Sequence, residues 1–270
     1  MNTRATVSSV GRAGALPPEA LGPARRFASM PDDLDLDCAD ADRVRLAVRV
    51  VVRCFDGLAD EAVLRWPVRN RIAAMLRIAE ATFGHQLAWE SPCAAATCGQ
   101  PMALSVPLAP IERLGLGEAQ FTWLPDAGHW MSVRLPDGQD QRTLRAIGTD
   151  PDAERSLATS LVEYVNGARR PAGWQLPRAW IAPLADELAR RDPLTDFHIE
   201  AVCPWCGTTN EQPVDLEQVV LERLADEQRQ ALRDVHELAR QYHWTEPDIL
   251  AIPPARRAKY LARIREEGDA

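Results

Sequence analysis

The chain has 270 residues, 46% of them hydrophobic and 26% charged, with a formal charge of −8. That is ordinary globular composition, long enough to bury a core as one large domain or two modest ones. It excludes a membrane span, since no run nears the roughly 20 apolar residues needed, and the acidic balance counts against nucleic acid, which needs a basic face.

Residues 1–36 read as a disordered leader: Ala, Pro, Gly and Arg without apolar period, then an acidic patch, Asp32-Asp33-Leu34-Asp35-Leu36-Asp37. The patch is not a calcium loop. Counted from Asp33, Cys38 stands where glycine is needed and Val44 where a carboxylate is needed. It is expected to be a solvated lead-in to a helix. No apolar segment follows the first arginines, so no secretory signal is readable.

An N-terminal α+β half is expected over 37–170. Val44, Ala47, Val48 and Val51 make a helical stripe between Asp40 and Phe55. A second helix should start near Pro67 and stop at Gly84, burying Ile72, Met75, Leu76, Ala79 and Phe83. The period then shortens, and strands are expected at 86–90 and 102–106, flanking a cysteine pair. Alternation over 120–124 and 130–135 around Pro125-Asp126-Ala127-Gly128 is a β-hairpin pattern. Helices follow at 139–147 and 152–165, the latter stopped by Asn166-Gly167.

The Pro/Gly link at 170–177 marks the boundary to a C-terminal half, 171–270. A helix at 178–191, a strand at 197–202, a second cysteine pair and another short strand are expected there. A long helix then runs from 216 to 243, with Leu224, Leu232, Val235, Leu238, Ala239 and Tyr242 on one face. Thr245 caps a short helix and Pro253-Pro254 starts the last one. Each cysteine pair follows a helix and a short strand and precedes a short strand and a helix, an echo that suggests internal duplication.

The cysteines carry the chemistry. Cys203-Pro204-Trp205-Cys206-Gly207 is a compact thiolate knuckle, and Cys93-Ala94-Ala95-Ala96-Thr97-Cys98-Gly99 is its looser counterpart. Without export, paired cysteines point to metal rather than disulfide. Cys93, Cys98, Cys203 and Cys206 are read as one shared structural zinc site, built like a zinc ribbon. The plain alternative is two pairs of small buried apolar residues. Cys54, among valines, reads as a core residue.

Enzymatic uses of these residues each lack a companion. A thioredoxin-like CxxC needs a helix behind Cys203, where Gly207-Thr208-Thr209-Asn210 favours a turn. A zinc deaminase needs its H-x-E far from the cysteines, but His198-Ile199-Glu200 shares their strand. His236-Glu237 opens like a zincin, yet Arg240 occupies the second histidine's place, and His243 is read as a packing or capping residue. No G-x-S-x-G, P-loop or G-x-G-x-x-G occurs. No catalytic residue is therefore assigned. The alternative function is a zinc-ribbon nucleic-acid-binding or regulatory protein.

A further set of residues resembles a family. It comprises Asp192-Pro193-Leu194, the Cys203–Gly207 knuckle, Val235-His236-Glu237-Leu238-Ala239, Tyr242 to Leu250, and Arg256-Arg257 with Tyr260-Leu261. Upstream, Val133-Arg134-Leu135-Pro136-Asp137-Gly138-Gln139-Asp140 and residues 67–99 belong with it. Together they resemble the T4-type phage baseplate proteins of contractile phages and phage-derived contractile injection systems. The wider spacing of Cys93 and Cys98 departs from the family's knuckle. The resemblance implies a non-enzymatic assembly factor or structural component of the baseplate or hub, working in the bacterial cytoplasm or built into the particle. Its partners would be baseplate or hub proteins. The helical end, residues 216–265, with Arg256, Arg257, Arg263 and Arg265, is expected to be the protein-binding surface.

Overall fold

The computed structural model describes residues 21–115, 117–147 and 151–268. Among them the fold is α+β, with helices surrounding three small antiparallel sheets. Its centre is a trio of helices: α2 (Arg43–Cys54), α4 (Val68–Phe83) and α9 (Leu216–Tyr242). α2 begins where the Asp42 side chain accepts the Arg45 N–H, satisfying one of the orphan donors of a helix start. Its buried stripe includes Val44, Ala47, Val48 and Val51, as the periodicity predicts.

α4 is buried well beyond the expected stripe. Ala73, Ala74 and Ile78 join Ile72, Met75, Leu76 and Ala79 inside, while Phe83 is only partly covered. A helix covered all round sits in the interior, and this one is packed by α2, α9 and the strand that follows it. Even its polar first turn, Arg69-Asn70-Arg71, is buried.

Residues from Leu21 onward, expected in the leader, belong to the fold. Residues 1–20 lie outside the described residues, but Phe27 and Ala28 are fully buried in the central core. The acidic patch is not fully solvated either. Asp33, in the short helix α1 (Pro31–Leu34), is 0% exposed and takes two hydrogen bonds from the Arg25 guanidinium, at 2.7 and 2.8 Å. It also accepts the backbone N–H groups of Ser29 and Met30. A buried carboxylate needs such partners, and the segment folds around it.

After α3 (Asp60–Leu64) and α4 come β1 (Gln86–Pro92), β2 (Pro101–Pro107) and α5 (Leu108–Glu112). β3 (Gln120–Asp126) and β4 (His129–Arg134) form the expected hairpin, which leads through α6 (Gly138–Ile147) to α7 (Pro151–Leu161). The helix expected to reach Val165 ends at Leu161. Val162–Val165 is instead β5, paired with β4 through Met131 and Val165 and extended to β6 (Ala168–Arg169). The β-branched residues Val162 and Val165 fit a strand once β4 offers an edge. Asn166-Gly167, both at positive φ, is the turn between two strands rather than a helix stop.

This four-stranded sheet packs with α7 and α8 (Ile181–Arg191) around Phe121, Trp123, Met131, Val133, Leu161 and Leu184. Leu176, from the Pro/Gly link, is fully buried in the same cluster. The boundary expected at 170/171 therefore runs through a core rather than between two. The central core likewise joins α2 and α4 to Leu194, Leu216, Val220, Leu221 and Leu224 of the C-terminal half.

The first turn of α4 is where distant segments meet. Arg71 donates to both carboxylate oxygens of Glu217 in α9, at 2.6 and 3.1 Å, and also to Gln141 of α6. Its guanidinium fits because residue 138 is glycine: a Cβ there would stand 2.8 Å from both Arg71 Nη1 and the Leu64 carbonyl oxygen. Arg69 donates to the Arg191 carbonyl and faces the buried Asp192. Burial raises the Asp192 carboxyl to about 6, against the pull of Arg69.

Beyond α8 come β7 (His198–Val202), β8 (Thr209–Pro213), α9, α10 (Glu246–Ala251) and α11 (Pro254–Gly268). Thr245 caps α10 as expected, accepting the Asp248 N–H. Tyr242, Trp244 and Tyr260 form an aromatic cluster, with centroids 4.7–5.8 Å apart, over Leu238, Ile249 and Leu261. Among the described residues no helix is long and apolar enough to cross a membrane.

Candidate metal centre

Both hairpins turn back through a cysteine knuckle. In the first, the Cys93 N–H donates to the Gln100 carbonyl and the Cys98 N–H to the Ala95 carbonyl, each at 2.9 Å. In the second, Cys203 donates to Thr208 and Gly207 donates back to Cys203, again at 2.9 Å. Gly99 and Gly207, each just after the second cysteine, take φ of 60° and 74°, which any Cβ would disfavour. Tight local turns thus aim two sulfurs from each hairpin at the same point.

The four sulfurs of Cys93, Cys98, Cys203 and Cys206 lie within 4.8 Å of one another. Two of the separations run between hairpins: Cys93 to Cys206 at 3.7 Å and Cys98 to Cys203 at 3.9 Å. A disulfide needs about 2.05 Å, and all six cysteines are free. A regular tetrahedron with metal–sulfur bonds of about 2.3 Å has edges of roughly 3.8 Å. The set therefore fits a tetrahedral ion such as zinc. All four predicted ligands are brought together.

Their electrostatics favour a cation at the centre. Hydrogen bonds from the Thr208 hydroxyl and backbone pull the Cys206 thiol down to about 6. At Cys98 a backbone hydrogen bond from Gln100 also pulls downward, but burial and the three neighbouring sulfurs outweigh it and raise the thiol to about 11. Four thiolates this close repel one another, and a divalent ion removes that penalty by holding them all deprotonated. Cys93 and Cys203 are buried, Cys98 is half-buried and Cys206 is exposed, so one corner of the cluster meets solvent.

The frame around the sulfurs includes residues that sequence reasoning missed. Asn210, 3% exposed, reaches from β8 across to the other hairpin. Its carbonyl oxygen accepts the Ala94 N–H at 2.7 Å and lies 3.5 Å from Cys93 Sγ, while its amide donates to the Thr208 carbonyl at 2.8 Å. The Ser91 hydroxyl donates to Gln212, which in turn donates to the Pro92 carbonyl. Met102, Leu104, Ile199 and Ala201 fill the space between. The available signal was an amide at alternate positions of β8, where a buried strand face would ordinarily carry apolar residues.

The other candidate chemistries stay apart. His198 and Glu200 are exposed on β7, and His236 is exposed on α9. His243 ends α9 in the left-handed conformation as its C-cap. Cys54 is 2% exposed, and burial raises its thiol to about 12. The chain matches no protein-family model, no curated protein and no solved structure.

Proposed function

We propose that this chain is a non-catalytic assembly factor or structural component of the baseplate or hub of a contractile tail-like particle, held in shape by a zinc-ribbon-like centre. The observation that carries the structural part is the closed donor set. Four cysteine sulfurs at tetrahedral spacing fill a zinc ion's coordination sphere, whereas a catalytic zinc keeps a position for water or substrate. The two helix–hairpin–helix segments, α4 to α5 and α8 to α9, are taken as copies of one unit, each supplying half of the centre.

The baseplate assignment rests on the quoted residues, several of which have a structural role in this fold. Gly138 makes room for Arg71, Asp192 faces Arg69, and Tyr242, Trp244 and Tyr260 pack together. The nucleic-acid alternative fits less well, because no lysine or arginine lies between Arg77 and Arg113 or between Arg191 and Arg223, the stretches that hold both knuckles.

The helical end is the partner surface in this proposal, but only three of the four arginines expected on it face outward. Arg256, Arg263 and Arg265 are exposed, but Arg257 is 2% exposed and lies 3.9 Å from Asp234, so it serves the fold. The surface instead includes a groove of about 650 Å³ between α9 and α11, bordered by Leu232, Arg233, His236, Arg240 and Ile264. Truncating the chain before α10 is a poor test, since Leu250 belongs to the central core. Co-expression with the sheath, tube, spike and baseplate genes of its own neighbourhood is a better one. One baseplate or hub protein should co-purify with the wild type and be lost from the Arg233→Glu/Arg240→Glu variant. Failure to retain any of them, with salt-sensitive retention on DNA or RNA instead, would overturn the proposal.

A further inference from the structure

The tip of the second hairpin leaves large apolar side chains in water. Val202 and Trp205, on either side of Cys203, are 63% and 68% exposed. The Trp205 indole N–H donates to the Pro101 carbonyl at 3.3 Å, which anchors the ring while most of it stays in solvent. An anchored, exposed tryptophan is the kind of side chain that dominates binding at protein interfaces.

The charge beside it is one-sided. In a strand of period two, His198, Glu200 and Val202 share the outer face with Thr209, Glu211 and Pro213 of β8, and all six are exposed. Glu200 stands directly opposite Glu211 in the register. Like charges so placed destabilise a hairpin. No lysine or arginine occurs near them in the sequence, and among the described residues neither carboxylate has an ion-pair partner. The hairpin thus carries a repulsion that no ion pair among the described residues relieves.

We propose that this outer face of β7–β8, with Trp205 at its tip, is a docking site for a basic segment of a partner protein. An arginine or lysine would sit between Glu200 and Glu211, and an apolar side chain against Val202 and Trp205. Nucleic acid is disfavoured, since its phosphates would meet the carboxylates. The site is separate from the groove on α9 and does not depend on the identity of the particle.

The test is a titration of the isotope-labelled, zinc-loaded full chain with a synthetic nine-residue peptide of alternating arginine and valine. The Trp205 indole and Val202 amide signals should move. Affinity should fall about tenfold or more in Glu200→Gln/Glu211→Gln and in Trp205→Ala, and a peptide with glutamate in place of arginine should not bind. Glu200→Gln/Glu211→Gln should also melt higher than wild type at low salt, which separates lost binding from lost folding. Unchanged affinity in the double variant, or shifts centred away from the hairpin, would overturn the site. Shifts produced by raising the protein concentration alone, or by a single-stranded oligonucleotide at the same residues, would replace this partner with another.

Discussion

Single residues at the first turn of α4 decide how the polar interior is tolerated. Asp192 is 1% exposed, and its carboxyl is raised to about 6 by burial. The folded chain therefore holds this proton more tightly than the unfolded chain, where an aspartate titrates near 3.9. The resulting stability is fully present below about 4 and is lost as pH rises through about 6, a difference of roughly 3 kcal/mol. Denaturant midpoints measured from pH 4 to 7.5 should show this fall in the wild type and lose it in Asp192→Asn. At Gly138 the constraint is steric, because an added Cβ would stand 2.8 Å from the Leu64 carbonyl oxygen, which cannot swing away. Gly138→Ala should cost about 1–3 kcal/mol in equilibrium unfolding, despite removing a glycine from a helix. Both positions fell within motifs legible in the sequence. Their roles were not, because Asp192 acts through Arg69 and Gly138 through Arg71, and nothing local announces a partner so far along the chain.

At the scale of elements, periodicity placed most helices and strands, and long-range pairing overruled it in definite places. Val162–Val165 continues the pattern of α7, but β4 offers an unpaired edge there, and pairing converts it to a strand. Residues 21–36 look like leader by composition, yet Phe27 fills the central core and Arg25 neutralises Asp33. The hairpins β1–β2 and β7–β8 were legible because each carries its own turn signals. Their mutual contact was visible only through the cysteines. That contact is a small core of its own, apart from the large cluster around α2, α4 and α9. Chelating the metal should therefore act on the hairpins first. Amide exchange at Cys93, Ala94, Cys203 and Asn210 should accelerate, while amides in the middle of α2 and α4 remain protected. Equal loss of protection in both places would mean that the centre supports the whole body.

Across the whole molecule, several connections join the halves that the sequence separates. Among them are the packing of α4 against α9, with the Arg71–Glu217 pair inside it, the core that the four-stranded sheet shares with α8, and the four-sulfur cluster. The link at 170–177 looked like a domain boundary because of its prolines and glycine, but Leu176 and the strands before it share a core with α8. Composition identifies a flexible link; it does not say which cores the flanking elements enter. The clustered cysteines were the most legible feature, since cysteine spacing survives without knowledge of the fold. If these cysteines act as one closed centre between two hairpins, a bound ion has only sulfur neighbours. X-ray absorption at the zinc edge on the purified full chain, with its metal content, tests this most directly. One zinc per chain bound by four sulfurs at about 2.3 Å is expected, with loss of that centre in Cys203→Ser. A chain that holds no zinc, or a shell in which nitrogen or oxygen replaces sulfur, would contradict it.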